Sequence, residues 1–207
     1  ALLKIAAYAF PVALNDATRG YFTRMTSLVP AEKGAAMRAL IANPDDAAAQ
    51  AAVAADPTWN AMLRTTCVAT MVSAGHAPNA LPQKATANIN CRILPGVPVE
   101  AVRQQLLALA ADPGIAVTLA HEPSQASPPP PSPPFIMGPI EKRAAELWPG
   151  VPVVPILLVG ATDGVHTNAA GIPTYGVSGL FSSSDGDGMH GLNERVRVKS
   201  LYDSRDF

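Results

Sequence analysis

The stretch "ATANINCRILPG", residues 85–96, decides the fold of the first half of the chain. Its apolar residues alternate with two asparagines and Arg92, which predicts a half-buried strand that ends at a Pro-Gly turn. The stretch "TTCVATMVSAG" at 65–75 is rich in β-prone residues and ends at a glycine, so it predicts another strand. Residues 98–114 have the apolar spacing of an amphipathic helix, and residues 115–122 predict a further strand.

These elements follow one another in the order β-β-α-β. Preceded by one strand and one helix, they would form a ferredoxin-like β-α-β-β-α-β unit. The apolar spacing of residues 2–10 predicts that helix, whereas the strand before it is missing from the sequence. Both ends of the sequence look interrupted, so we expect the chain to be a portion of a longer protein.

An alanine-rich stretch at 14–65 predicts a helical insert ahead of the strands. One of its helices is expected to begin at Asn15 or Asp16, since either residue suits the N-cap position. Two more short helices are predicted at 43–56 and 57–66. The insert therefore adds an all-helical part to an otherwise mixed α+β unit.

A proline-rich stretch at 123–134 is the sharpest break in the chain. It can neither pair into a sheet nor continue a helix, so it predicts a stiff connector between domains. We expect one domain at 1–122 and a second at 135–207.

The second domain has a different pattern from the first. Helices predicted at 137–147 and 164–170 alternate with strands predicted at 151–160 and 172–179, which is typical of a parallel α/β sheet. Active sites of such sheets lie at the carboxyl ends of the strands. The loops that follow the two strands are therefore the places where we expect chemistry.

Composition excludes several classes of protein. The chain has 207 residues, of which 48% are hydrophobic and 15% are charged, which is typical of a chain that folds around a core. The formal net charge of −1 gives no electrostatic reason to bind nucleic acid or an anionic membrane. No apolar run reaches the roughly 20 residues that a membrane span needs. The two cysteines, Cys67 and Cys91, do not make a disulfide framework, and sequence leaves open whether they pair.

His190 lies in "SSSDGDGMHGLNERVRV", residues 182–198, in the loop after the last predicted strand. A histidine in a loop is more often without a role than a metal ligand. Small and acidic neighbours favour a site here: Gly188, Gly191, Asp185, Asp187 and Glu194. Because zinc needs three or four protein ligands and no H-x-x-x-H or C-x-x-C pair is present, any partners of His190 must lie elsewhere.

Further polar residues have an ordinary interpretation, and for two of them, Thr162 and Arg92, a functional one stands beside it. Asp163 is expected to cap the helix that follows "GATDG", and the Thr162 hydroxyl beside that helix start suits a carboxylate or an oxyanion. Asn79, between two prolines, is expected in a turn. Arg92, on the polar side of its strand, is either a solvated arginine or a bidentate ligand of a substrate carboxylate.

Three ordered motifs resemble those of the co-catalytic zinc amidohydrolases. "NALPQKATANINCRILPG" is similar to the N-x-(I/L)-P…A…(N/D)-x-R-x-L-P-G segment of the lid domain in that family. "GATDGVHTNAAGIPTYGV" and "HGLNERVRVKSLYDSRDF" resemble its G-(G/A)-T-D-G…GIP and H-G-x-(N/D)-E segments. The family includes aminoacylase, carboxypeptidase G, carboxypeptidase S and succinyl-diaminopimelate desuccinylase. The helical insert and "LWPGVPVVP" favour the carboxypeptidase S branch.

The resemblance implies a lid, or dimerisation, domain inserted into an α/β catalytic domain that holds two Zn²⁺ ions, with Co²⁺ or Mn²⁺ as alternatives. It implies that His190 binds a metal and that Asn79 and Arg92 bind substrate. In the dimeric members of the family, the residues that match Asn79 and Arg92 reach the active site of the partner subunit. Gly160 and Thr162 match a loop near the substrate carboxylate. The implied substrate is a small peptide or an N-acyl amino acid, and the implied assembly is a homodimer through the lid.

The chain departs from that family pattern where the catalytic groups are concerned. The H-x-D motif, the bridging aspartate, the Glu-Glu pair with the general base and the other acidic ligand have no match in these residues. We therefore expect no activity from this chain alone, because one ligand cannot hold two metals. The rival hypothesis is a non-catalytic ferredoxin-like module for dimerisation or binding. The sequence does not indicate a compartment.

Overall fold

The computed structural model describes residues 1–122, 129–182 and 186–207. These residues divide into two compact units, each made of two segments: Ala1–Pro129 with Pro155–Ala170, and Pro130–Val154 with Gly171–Phe207. The described helices and strands are α1 Leu2–Ala7, α2 Asp16–Met25, α3 Ala31–Ala42, α4 Ala47–Ala54, α5 Pro57–Leu63, β1 Thr66–Ala74, β2 Ala85–Arg92, α6 Val99–Ala110, α7 Pro134–Leu147, α8 Gly164–Ala169 and α9 Val198–Asp206.

Strands β1 and β2 form an antiparallel pair, as the alternating pattern predicts. Cys67 lies directly opposite Cys91, and the pairing continues to the outer end of the hairpin, where Ala74 is opposite Ala85. An irregularity at Thr70 leaves that residue unpaired, as in a β-bulge. The apolar residues of β2 therefore share one face of the sheet, and its polar residues share the other.

Helices α1 and α6 pack on the apolar side of this hairpin. The predicted opening helix is confirmed as α1, which contacts both β1 and α6. The core between these elements centres on four buried side chains: Ile5, Phe10, Val102 and Leu106. Around them pack Tyr8, Cys67, Ile89, Cys91, Ile93, Val97, Leu109 and Val117. The hairpin, α1 and α6 thus form the mixed α+β part that the sequence predicts.

The strand predicted at 115–122 is wrong, because that stretch has no strand pairing in the described residues. Val117 nevertheless packs against the core, so its apolar character is explained by burial. Its carbonyl accepts a hydrogen bond from the Arg103 guanidinium at 2.9 Å. A strand needs a neighbouring strand to complete its ladder, and here a side chain takes that place. A four-stranded ferredoxin-like sheet is accordingly not observed.

The helical insert is confirmed and consists of α2 to α5. Asn15 is the N-cap of α2, and its side chain accepts a hydrogen bond from the Thr18 amide in a capping box. Asp46 is the N-cap of α4, and its side chain accepts hydrogen bonds from the Ala48 and Ala49 amides. Buried residues from the four helices build a separate apolar core: Phe22, Met37, Leu40, Val53, Trp59, Met62 and Leu63. Gly34 permits the closest approach in the insert, since a Cβ there would lie 2.2 Å from the Thr26 carbonyl oxygen.

The parallel sheet predicted for 135–207 is also not observed in the described residues. Helices α7 and α8 confirm the predicted helices, but 151–160 and 172–179 pair with no strand there. Their apolar side chains remain largely exposed: Ile156, Leu158, Ile172 and Val177. Apolar β-prone runs predict burial, and a parallel strand forms only where a neighbouring strand supplies a hydrogen-bond ladder.

The second unit is held together by aromatic packing. The Trp148 ring lies 5.0 Å from the Phe181 ring and 5.2 Å from the Phe207 ring, measured between centroids. Gly179 fits against this cluster, because a Cβ there would lie 2.8 Å from the Trp148 ring. The Phe181 amide donates to the Ser200 hydroxyl at 2.6 Å, which ties the segment to α9.

Two sequence predictions are not decided by the fold. The domain limits at 1–122 and 135–207 stay a prediction, and half of the proline-rich connector, 123–128, lies outside the described residues. Among the helices that are described, none is long and apolar enough to cross a membrane.

Candidate functional site

Arg92 is the last residue of β2 and lies on the polar face of the hairpin, opposite Thr66. Its side chain is exposed, and it makes no hydrogen bond or ion pair within the described part of the chain. Asn88 and Asn90 belong to the same face, because they alternate with the apolar residues of β2. The predicted polar orientation of Arg92 is confirmed, and its guanidinium is available to a ligand.

The residues after Arg92 anchor the end of the strand. Leu94 is buried, and its amide donates to the buried Thr65 hydroxyl at 3.2 Å. The Val97 amide then donates to the Leu94 carbonyl at 3.1 Å, which closes a turn through Pro95 and Gly96. Gly96 has a φ of 89°, which this turn needs and which a glycine adopts without strain. The "RILPG" sequence thus holds Arg92 at a fixed place beside the core.

Asn79 lies in the loop that joins the outer ends of β1 and β2. The Ala80 amide donates to the Ala77 carbonyl at 3.4 Å, so Asn79 occupies a turn, as predicted. With a rise of about 3.3 Å per residue, the length of β2 separates this loop from Arg92 by roughly 23 Å. Asn79 and Arg92 therefore belong to opposite ends of the hairpin.

Gly160 and Thr162 are exposed and precede α8. The Thr162 carbonyl accepts from the Val165 amide at 3.1 Å, so its backbone belongs to the start of the helix. Asp163 stands at the N-cap position, but its side chain accepts no capping hydrogen bond, so the predicted capping role is wrong. The reason is its helical φ and ψ of −60° and −18°, since a capping side chain needs an extended backbone.

His190 lies at the tip of a compact loop closed by backbone hydrogen bonds. The Arg195 amide donates to the Asp187 carbonyl at 2.8 Å, and the Gly191 amide donates to the Gly188 carbonyl at 2.7 Å. His190 has a φ of 61°, a left-handed conformation that is uncommon for a residue with a side chain. Its imidazole is exposed and has no hydrogen-bond partner in the regions described.

The two glycines in this loop have a structural reason. A Cβ on Gly188 would lie 2.9 Å from the Asn193 carbonyl oxygen, and one on Gly191 would lie 2.9 Å from the Gly188 carbonyl oxygen. Gly188 also has a φ of 64°. The glycines allow the loop to fold closely on itself, whereas the sequence analysis interpreted them as a sign of a site beside His190.

A metal centre needs more ligands than the described residues bring together. Within 1–122, 129–182 and 186–207, no group of three or more histidine, cysteine, aspartate or glutamate side chains could hold an ion. Asp185, an acidic residue near His190, lies outside those ranges. An exposed imidazole suits a single metal bond, but the residues described here do not by themselves fit a site for two metals.

A close electrostatic pairing lies on α6, outside the predicted site residues. Hydrogen bonds from Arg103 and Gln104 lower the pKa of Glu100 from 4.5 to about 2. Arg103 is held by Glu100 on one side and by the Val117 carbonyl on the other. This pair therefore attaches the segment after α6 to the helix.

The predicted site residues fall into two groups. Asn79, Arg92, Gly160 and Thr162 belong to the first compact unit, and His190 belongs to the second. Sequence reasoning missed Thr65, whose buried hydroxyl holds the turn after Arg92. A threonine at the start of a strand gives no signal of this role, since the partner amide lies 29 residues away.

Comparison with known proteins assigns a family to part of the chain. Residues 15–117 match the family model of the M20 peptidase dimerisation domain. That stretch contains the helical insert, both strands of the hairpin and α6. No solved structure matches the chain.

Curated proteins match a larger part of the chain. The N-fatty-acyl-amino acid synthase/hydrolase PM20D1 of Mus musculus is 32% identical over 158 residues, which cover 73% of this chain and 31% of the mouse protein. PM20D1 of Xenopus tropicalis is 29% identical over 70% of this chain and 28% of its own length. The probable carboxypeptidase S-like 2 of Dictyostelium discoideum is 24% identical over 73% of this chain and 29% of its own length.

The regions that match this chain make up less than a third of the length of each of these relatives. The relatives are hydrolases, and the domain match supports a homodimer. The domain and the relatives together support the M20 peptidase family as the family of this chain, with the dimerisation domain at residues 15–117.

Proposed function

We propose that the chain is part of a metal-dependent hydrolase that cleaves a peptide or N-acyl amide bond next to a free carboxylate. The observation that carries the proposal is the exposed Arg92 guanidinium on the hairpin of the matched dimerisation domain. The names of the relatives, a synthase/hydrolase of N-fatty-acyl-amino acids and a carboxypeptidase S-like protein, support the same class of bond. In this chain alone the catalytic groups are incomplete.

Arg92 binds the substrate carboxylate in this proposal. A guanidinium donates two parallel hydrogen bonds to a carboxylate, which fixes the orientation of the substrate as well as its position. The anchored turn after β2 fixes the backbone at Arg92, and the bound carboxylate orders the exposed side chain. Gly160 and Thr162 add an exposed backbone and a hydroxyl that suit the same end of the substrate.

His190 binds one metal ion in the intact protein. Two Zn²⁺ ions, or Co²⁺ or Mn²⁺ in their place, would supply a polarised carbonyl and an activated water for amide hydrolysis. The loop presents the imidazole to the outside at a fixed φ of 61° and leaves both ring nitrogens without a partner in the part described. The remaining ligands and the general base must come from residues that this chain does not contain.

Asn79 acts in the active site of a second subunit. Because Asn79 lies in the loop at the outer end of the hairpin and Arg92 ends β2 beside the core, we assign them to the substrates of different subunits. In a homodimer formed through the dimerisation domain, the loop of one subunit would contact the substrate bound by its partner. The expected substrate is a small peptide or an N-acyl amino acid.

A second candidate function is a non-catalytic dimerisation or binding module. The observation that favours it is the lack, among the described residues, of three side chains grouped for a metal. It also agrees with a two-stranded hairpin whose apolar side chains Val68, Met71 and Val72 are exposed and free to pair with another chain. This candidate predicts a dimer that hydrolyses no amide.

The two candidates are separated by hydrolysis assays on the natural full-length protein. We expect N-acyl amino acids to be cleaved, cleavage to stop with a chelator, and the matching methyl esters to be poor substrates. Replacing Arg92 by Gln should raise KM for the free acid about 10- to 100-fold, since a charge-assisted hydrogen bond contributes about 1.5–3 kcal/mol.

The matched control replaces Arg24, an exposed arginine in α2, by Gln. This variant should keep the KM of the wild type. The absence of any amide hydrolysis by the full-length protein would support the non-catalytic module. Equal KM values for the free acid in the Arg92→Gln and Arg24→Gln variants would contradict the role of Arg92.

A further inference from the structure

Cys67 and Cys91 form a disulfide across the hairpin. They are the two cysteines of the whole chain, so the bond uses every thiol in the sequence. The residues are directly opposite each other in the register of β1 and β2, and the position after Cys91 is Arg92. The sequence could not predict the pairing, because it depends on a register that the two strands adopt only when folded.

The disulfide lies where the hairpin leaves the core. Both cysteines are half-buried and pack against the cluster that contains Ile5 and Phe10. Ile89 still packs against this cluster, whereas farther out the side chains of Met71 and Val72 are 70% and 62% exposed. The outer part of the hairpin therefore has little packing of its own.

A hairpin with so little packing needs another source of order. An isolated two-stranded hairpin is marginally stable in water. Three of the outer residues of its apolar face are alanines, Ala74, Ala85 and Ala87, which give few cross-strand contacts. A slip of the register by one residue would move Arg92 to the opposite face of the sheet. Only the bonded register places the two sulfur atoms side by side.

We propose that the Cys67–Cys91 disulfide is a permanent structural cross-link that fixes the register of this hairpin, and that the protein consequently folds in an oxidising compartment. Disulfides of this kind persist in secreted, periplasmic and extracellular proteins and are rare where glutathione and thioredoxin keep thiols reduced. The inference is independent of the proposed hydrolase activity, because it rests on the cysteines alone.

Formation of the bond needs an oxidant, which we take to be a protein disulfide of the thiol oxidoreductase class. The thiolate of one cysteine attacks a sulfur of that disulfide and forms a mixed disulfide, which releases one thiol of the oxidant. The thiolate of the second cysteine then displaces the other thiol of the oxidant. The two cysteines lose two electrons and two protons in total, and the oxidant gains them as its two thiols.

The first test is the redox state of the natural full-length protein. Cells are quenched with acid, and the protein is denatured and alkylated without reductant, after which its mass is measured. We expect neither Cys67 nor Cys91 to be alkylated, and both to be alkylated once a reductant is added. Alkylation of both residues without reductant, or a bond from either residue to another thiol, would overturn the proposal.

The second test measures what the bond does for the hairpin. In the Cys67→Ser, Cys91→Ser double variant we expect the midpoint of thermal unfolding to fall by about 10 °C, since the bond closes a loop of 24 residues. Amide exchange in β1 and β2 should become about 100-fold faster, while exchange in α3 stays unchanged. Unchanged exchange in both strands would overturn the structural role.

Wild-type protein treated with reductant is a second route to the same measurement, in case the double variant does not fold. Reduction should accelerate exchange in β1 and β2 as the double substitution does. It should have no effect on a folded double variant. If reduction leaves the amide exchange rates of β1 and β2 unchanged, that result would overturn the structural role as well.

Discussion

Replacing Gly188 by alanine tests whether the compact loop is what positions His190. The substitution has two separate effects in this structure. It places a side chain at a φ of 64°, which costs about 1–2 kcal/mol for a residue other than glycine. It also puts a Cβ 2.9 Å from the carbonyl oxygen and 3.1 Å from the carbonyl carbon of Asn193, so the facing backbone has to move.

That movement weakens the hydrogen bonds that close the loop. The bonds from the Arg195 amide to Asp187 and from the Gly191 amide to Gly188 each contribute about 1 kcal/mol. Losing both, in addition to the left-handed conformation, amounts to about 3–4 kcal/mol, which increases the open population of the loop roughly 100- to 1,000-fold. The global stability should change much less, because the loop can open without unfolding the rest.

Gly186 offers the matched control. It has a φ of 80°, but a Cβ there meets no described atom within 4 Å. The Gly186→Ala variant should therefore show only the conformational cost of about 1–2 kcal/mol, or roughly a 5- to 30-fold faster amide exchange at Arg195. The assay is hydrogen exchange followed by NMR or mass spectrometry. Equal exchange rates at Arg195 in the two variants would refute the packing argument.

Three further predictions concern the first unit. Gly34→Ala should destabilise the helical insert by about 2–4 kcal/mol, because the new Cβ would lie 2.2 Å from a carbonyl oxygen. Gly20→Ala is the control: no atom lies within 4 Å of its Cβ, so it should stabilise the insert by about 0.5–1 kcal/mol. Both changes are measured by urea unfolding. Thr65→Val should cost about 1–3 kcal/mol by leaving a buried amide unpaired, and Thr65→Ser should cost less. NMR titration should give Glu100 a pKa of about 2, and this pKa should return toward 4.5 in the Arg103→Gln variant. Because folding lowers the pKa of Glu100, the ionised carboxylate stabilises the fold above pH 4.5, and this stabilisation is lost as the pH falls through 2.

The hairpin and the helices were predictable because their signals are local. Alternation of apolar and polar residues gives the faces of β2, and the 3.6-residue spacing gives α6. The same alternation placed Arg92 on the polar face, and Pro78 before Asn79 indicated the turn. These features follow from short-range sterics and from burial of one face, which a single sequence records directly.

The strands at 115–122, 151–160 and 172–179 could not be predicted correctly, because a strand depends on its neighbours. Apolar β-prone residues indicate a segment suited to burial, but the ladder needs a second backbone in register. In the described structure Val117 is partly buried without a ladder, and Ile156 and Val177 are exposed without one. Sequence reasoning identified suitable segments and did not establish their partners.

The types of residue in the candidate site could be predicted from the sequence, but the way in which the fold arranges them could be predicted only in part. The glycines beside His190 favoured a site there, yet in the structure they serve close packing within the loop. The disulfide depends on the register, and the role of Thr65 depends on a contact between distant positions. Such long-range relations appear only once the chain has folded.

The most direct test of the proposed function is the metal content of the natural full-length protein and of its His190→Asn variant. Asparagine adopts a left-handed backbone more readily than most residues, so this change removes the imidazole with little effect on the loop. His166→Asn, at an exposed histidine of α8, is the matched control. We predict about two zinc ions per chain in the wild type and the control, at most one in His190→Asn, and loss of amide hydrolysis only in that variant. Two zinc ions and normal turnover in His190→Asn would contradict the assignment of His190 as a metal ligand.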